Sequence, residues 1–222
     1  MVRIRIPISK LLGQNADYTG IILLILPIFI ITTLSLKDQG AGVTTVIYSR
    51  SISSFQLVMT RFLAVVCATI LPVLFVAIYE TYRVVSLYPN ELLDYFAFVE
   101  HAFIWLLPTI LVVVAFGFFV TEWSGTILAI VLQFALFFVT MSIGLQQMEG
   151  GYSLGLIALR HNIIGNTQVY VDHLQALWIN RVSYTALAFV LLGLTIGLYE
   201  QKRKGMRTAY EWIQHVLHAR RS

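Results

Sequence analysis

Charge is what this sequence has least of. Only 12% of its 222 residues are Asp, Glu, Lys or Arg, about half the share of a soluble domain. Apolar residues make up 58% and the mean hydropathy is +0.80, so the composition is that of an integral membrane protein. Cysteine is nearly missing as well. The one thiol, Cys67, lies inside an apolar run, which excludes an intramolecular disulfide. No G-x-x-x-x-G-K-[ST] phosphate loop occurs, so the chain is not expected to hydrolyse ATP itself. There is no H-E-x-x-H zinc motif and no nucleophile elbow around Gly144. No catalytic residue and no metal site are read, and no repeats or linkers divide the chain. The apolar runs have no central Asp, Glu, Lys or Arg. Ion-coupled transport relies on such intramembrane charges, so energy for any transport has to come from elsewhere.

What is there is five apolar runs: Thr19–Leu36, Leu57–Tyr79, Ala102–Thr121, Gly125–Leu145 and Val182–Tyr199. Each is close to the roughly 20 residues that span a bilayer as helix. Runs this long and continuous are helices, because barrel strands are shorter and alternate. The expected fold is an all-α polytopic transmembrane bundle of about five spans in a single domain, 1–222. Residues 1–18 form an N-terminal segment without the apolar core of a cleavable signal, 19–199 the bundle, and 200–222 a basic tail.

That tail holds Lys202, Arg203, Lys204, Arg207, Arg220 and Arg221. Basic residues favour the cytoplasmic face and anionic headgroups, so the C-terminus is placed inside, in a bacterial cytoplasmic membrane, with no role in binding nucleic acid. Counting back, Gln146–Arg181 and Glu80–His101 are outside, while Glu122–Ser124 and the loop after the first run are inside. The acids Glu80, Glu91, Asp94 and Glu100 against the single Arg83 agree with the outer placement. The N-terminus then falls outside despite Arg3, Arg5 and Lys10.

The inner loop and its flanks, LKDQGAGVTTVIYSRSISSFQLVMTRFL over 36–63, resemble the signature segment of type-2 ABC exporter permeases. That signature reads roughly E-R-x-x-G-T-x-E-x-x-x-S-x-P-[IV]-S-R followed by apolar positions and a basic residue. Asp38 falls on the first acid, Gly42 on the glycine and Ser49 on the first serine. Ile52 and Ser53 fall on the [IV]-S pair, and Arg61 on the basic residue opening the next helix. Val43, Thr45, Ser51 and Ser54 depart from the pattern. Asn180-Arg181 also resembles a pair that opens the last helix in that family, and the five runs correspond to spans two to six of its usual six.

The resemblance implies a membrane permease subunit of an ABC exporter, with a short cytoplasmic coupling helix over Asp38–Phe55 docked on a separate ATPase subunit. ATP and Mg would sit on that partner, with no cofactor on this chain. A second permease subunit, in a homo- or heterodimer, would complete the pathway, and the lipid bilayer is the remaining partner. The apolar spans point to an amphipathic or hydrophobic substrate: a peptide, a lipid-linked molecule or a drug.

Polar residues inside the runs are few. Gln133, Thr140 and Ser142 are the candidates for a pathway lining or for helix packing, beside Thr32, Thr33, Thr69 and Thr195. A buried amide in lipid needs a partner, so Gln133 predicts an interhelical hydrogen bond. Gly193 and Gly197 form a G-x-x-x-G that permits close helix approach, within the subunit or between subunits. Leu154, Ile157, Ala158 and His161 at helical spacing predict a short interfacial or re-entrant helix in the outer loop. Two other classes remain open at this point. One is a non-transporting accessory or scaffold protein; the other is an intramembrane lipid-modifying enzyme using His101, His161 or His173.

Overall fold

The structure, a computed structural model, describes residues 17–40, 52–89, 94–145, 154–160 and 171–205. Among these residues the chain is helical, without strands. Helical turns from Asp17 lead into α1 (Leu26–Gly40), and α2 covers Ser54–Leu87. Next come α3 (Ala97–His101), a π turn (Ala102–Leu106) and α4 (Leu107–Ser124), forming one continuous rod. It is followed by α5 (Leu128–Leu145) and α6 (Leu174–Arg203). Among the described residues four rods are long and apolar enough to cross a membrane: Asp17–Leu34, Ser54–Leu87, Ala97–Ser124 and Leu174–Arg203. The apolar helix Leu128–Gly144 is shorter. At 1.5 Å per residue α5 spans about 26 Å, just under the roughly 30 Å hydrocarbon core.

The rod Ala97–Ser124 is the axis of the bundle. About two-thirds of its most apolar window is buried inside the protein, 67% against 22–39% for the other three. It packs most extensively on α6 and then on α1, with α2 and α5 also against it. Ile110, Val112, Val113, Val114, Ala115 and Phe118 of α4 join Leu23, Leu24 and Ile31 of the first rod, Phe62 and Val65 of α2, and Ala188 and Leu192 of α6. α4 is apolar all round, as a helix enclosed by others must be. Gly117 is where α1 comes closest: a Cβ there would stand 2.7 Å from Ile31 Cδ1 and 3.0 Å from Ile28 Cδ1.

Breaks in the rods follow proline. Pro27 brings no N–H to the first rod, and the ladder tightens there: Ile25 N–H bonds the Ile22 carbonyl and Ile28 N–H the Ile25 carbonyl. The Leu24 carbonyl, which a regular helix would give to Ile28, is left for another donor. Pro108 sits in the first turn of α4, directly after the π turn. Pro72 is carried inside α2. At its other end α4 stops on Gly125 in the left-handed conformation (φ 63°), whose N–H caps the Thr121 carbonyl at 2.9 Å.

The helices outrun their apolar cores. α2 continues past Tyr79 to Leu87, with Val84 packed on Phe98 of α3. α6 begins at Leu174, two turns before the Asn180-Arg181 pair that the sequence places at its opening. Residues 154–160 are turns and bends rather than the expected helix. His161 and the expected coupling helix, apart from its two ends, lie outside the described residues.

Candidate functional site

Polar side chains gather at the two ends of the bundle. The end at which α6 finishes is called here the tail end, and the end at which it starts the far end.

At the tail end, the entry to α2 is built by a capping box. The Ser53 hydroxyl accepts from Gln56 N–H at 3.1 Å, and Gln56 Oε1 accepts from Ser53 N–H at 3.3 Å. This entry is held by the last turn of α6. Arg203 Nη1 donates to the Ile52 carbonyl at 2.7 Å, and the hydroxyl of the buried Ser54 donates to the Glu200 carboxylate. In the same turn, Lys202 pairs with the Glu122 carboxylate at 3.0 Å and also donates to the Glu122 carbonyl. Three chain segments separated by up to 151 residues thus meet: the exit of the 41–51 loop, the α4–α5 turn and the start of the basic tail. Of the residues matched to the signature, Ile52 and Ser53 belong to this junction. Arg61 is half-buried two turns into α2, and Asp38 falls in the last turn of α1. Gly42 and Ser49 lie outside the described residues.

At the far end a guanidinium is sealed inside protein. Arg181 is 2% exposed and Asn180 0%. Nη1 of Arg181 donates to the Trp105 carbonyl and to Thr109 Oγ1, both at 2.8 Å. Nη2 donates to the Ile157 carbonyl at 2.9 Å and to Asn180 Oδ1 at 2.6 Å, and Nε to the same Oδ1 at 3.1 Å. Asn180 Nδ2 in turn holds the Leu156 carbonyl at 3.1 Å, Thr109 Oγ1 the Ile157 carbonyl at 2.9 Å, and Tyr184 Oη the Leu154 carbonyl at 2.6 Å. A guanidinium has five N–H groups, and all of them are used on neutral acceptors. Residues 154–160 are non-helical chain packed into the bundle, with Leu156 0%, Ala158 4% and Leu159 6% exposed. Irregular backbone survives at this depth only where protein satisfies its polar groups, and here Asn180, Arg181, Tyr184 and Thr109 do so. Trp105, Leu159 and Leu177 close the apolar side, and Trp105 stands 6.0 Å from the Trp178 ring.

Between the ends, the polar side chains serve packing. Gln133 is 0% exposed, and its Nε2 donates to the Leu24 carbonyl at 2.5 Å, the carbonyl that the Pro27 break sets free. Thr140 lies two turns further along the same buried face of α5, whereas Ser142 is exposed. Thr32, Thr69 and Thr195 bond carbonyls of their own helices at 2.7–2.8 Å. Among the described residues no group of three His, Cys, Asp or Glu is placed to hold a metal.

Long apolar rods around an enclosed central helix, with polar junctions confined to the two ends, define a polytopic α-helical protein of membrane character. Comparison of the chain with protein-family models, with curated proteins and with solved structures returns no match in any of the three.

Proposed function

We propose that the chain is the membrane permease subunit of an ATP-driven exporter. Its inner loop would receive the stroke of a separate ATPase subunit carrying ATP and Mg, and a second permease subunit would complete the pathway. One observation carries the reading beyond the resemblance of the loop: the loop's exit is fastened to the last helix by Arg203 on Ile52 and by Ser54 on Glu200. A push on the 41–51 segment would therefore reach α6 directly, and through α6 the central rod it packs on. Such a stroke shifts the balance between two conformations to the extent that the ATPase binds them differently. In this reading the tail end is cytoplasmic, in keeping with its basic residues, and the chain has no enzymatic step of its own. The substrate class remains that of the sequence reading, an amphipathic or hydrophobic molecule.

The test is affinity purification of the tagged chain from its own host in mild detergent, with identification of partners and an ATPase assay. A variant carrying Asp38→Ala, Ser53→Ala and Arg61→Ala is run beside it. Copurification of an ATP-hydrolysing subunit that the variant loses, or no longer stimulates, supports the reading. Finding no nucleotide-binding partner with either protein sinks it.

A further inference from the structure

Besides Arg83, which pairs with Glu80 at 3.4 Å, the far end carries two guanidinium groups, Arg160 and Arg181, that among the described residues have no carboxylate within ion-pair reach. They are used differently. Arg181 has spent every N–H on protein, so its charge is felt but its donors are not offered. Arg160, three residues after the Ile157 carbonyl that Arg181 holds, is only half-buried. Among the described residues its guanidinium makes one hydrogen-bond contact, Nη2 to the Met141 thioether at 3.4 Å, and sulfur is a weak acceptor.

The group is nonetheless placed. Its stem lies on Gly144 in the last turn of α5, where a Cβ would stand 2.9 Å from Cδ and 3.2 Å from Nε of Arg160. A side chain at 144 would require the flexible Arg160 stem to shift from where it lies. The level is also informative. Gly144 is 16 residues from Leu128, about 24 Å along the helix, so it lies near the edge of the hydrocarbon core on the far side. A guanidinium with open donors at that level is stabilised by an anion that meets it. The lipid phosphate is an anion available at that level, and its oxygens suit the planar fork.

We infer that Arg160, bedded on Gly144 and Met141, binds the headgroup phosphate of one anionic phospholipid in the far leaflet, with Arg181 contributing long-range attraction. The site is independent of the exporter reading. It predicts a preference for anionic over zwitterionic lipid of about fivefold, which is what one basic group contributes near a charged surface.

The experiment is native mass spectrometry of the full chain in mild detergent, with equal amounts of dioleoyl phosphatidylglycerol and dioleoyl phosphatidylcholine. Wild type is expected to keep the first lipid about fivefold better, Arg160→Gln to lose that preference, and Arg160→Lys to keep most of it. Equal retention by wild type and Arg160→Gln overturns the site. Because Arg160→Gln could fail to fold, a second measurement uses wild type alone, with a phosphatidylglycerol photoreactive in its headgroup. Labelling of Met141, Gly144 or residues 154–160 is expected; labelling confined to the tail overturns the site. Inorganic phosphate added at millimolar concentration is expected to leave the lipid bound. Displacement by it would mean a free-phosphate site and overturn the lipid assignment.

Discussion

Arg181 shows how a charge is tolerated within a bundle that supplies it no acid. Two carbonyls, a hydroxyl and an amide oxygen share the guanidinium, and each loses that donor if it is removed, although the Ile157 carbonyl keeps Thr109 Oγ1. Arg181→Met is therefore expected to destabilise the protein on the order of 3 kcal/mol, since each buried acceptor left bare costs about 1–3 kcal/mol and some will find water. Arg181→Lys is expected to fall nearly as far, because a point ammonium cannot span acceptors arranged around a planar fork. Thermal unfolding in detergent reads both, and a lysine variant as stable as wild type would show that charge alone matters. Gln133 is a smaller case. Gln133→Leu leaves the Leu24 carbonyl bare at the Pro27 break and is expected to cost about 1 kcal/mol, near the usual range for an interhelical hydrogen bond in a membrane protein. Both residues differ in how visible they were. An isolated amide in an apolar run announces a need for a partner. Arg181 looked like the last residue of a loop, and its main acceptors are backbone carbonyls, which have no signature in sequence.

The elements themselves were largely legible. All five apolar runs are helices, because a long apolar run leaves the backbone no other way to satisfy itself. Their limits were not. α2 and α6 continue as helix well beyond their most apolar stretches, through the mixed segment ETYRV at Glu80–Val84 and through Leu174–Arg181, where packing on α3 and on residues 154–160 sustains them. Spacing misled at 154–160: Leu154, Ile157 and Ala158 suit a helix, yet side chains from α4 and α6 hold the carbonyls that helical N–H groups would need. The glycines separate in the same way. Gly193 and Gly197 have open space around them, so among the described residues nothing packs closely on their G-x-x-x-G. Gly117, in no motif, is the one pressed by Ile31 and Ile28. Gly117→Ala is expected to cost about 1–3 kcal/mol by overpacking against two fully buried isoleucines. The melting temperature of the purified chain would show it, and an unchanged value would mean α1 can slide aside.

At the scale of the whole molecule, the tail-end junction joins segments that no run of sequence connects. Ser54→Ala combined with Glu200→Gln is expected to leave the bundle folded, since both groups lie at its rim. Under the exporter reading the pair should still bring down the ATPase subunit but reduce the hydrolysis it stimulates several-fold. Normal stimulation by this double variant would show that force does not pass through α6. The direction of the resemblance was readable in the loop's letters. The fastening was not, because Ile52 takes part through its carbonyl and Glu200 and Arg203 read simply as an ordinary charged helix end.

The buried segment at the far end also sets an order of events during synthesis. A chain emerges N-terminus first, at roughly 5–20 residues per second, so residues 154–160 are made before the last-helix residues that secure them. Thr109 is already present to take the Ile157 carbonyl. The carbonyls of Leu154 and Leu156 must wait for Tyr184 and Asn180. Until the last helix arrives, this stretch has every reason to remain at the water surface, and its burial closes the assembly. Nascent chains halted before Leu174 should accordingly expose 154–160 to protease, while chains released after Arg203 should protect it.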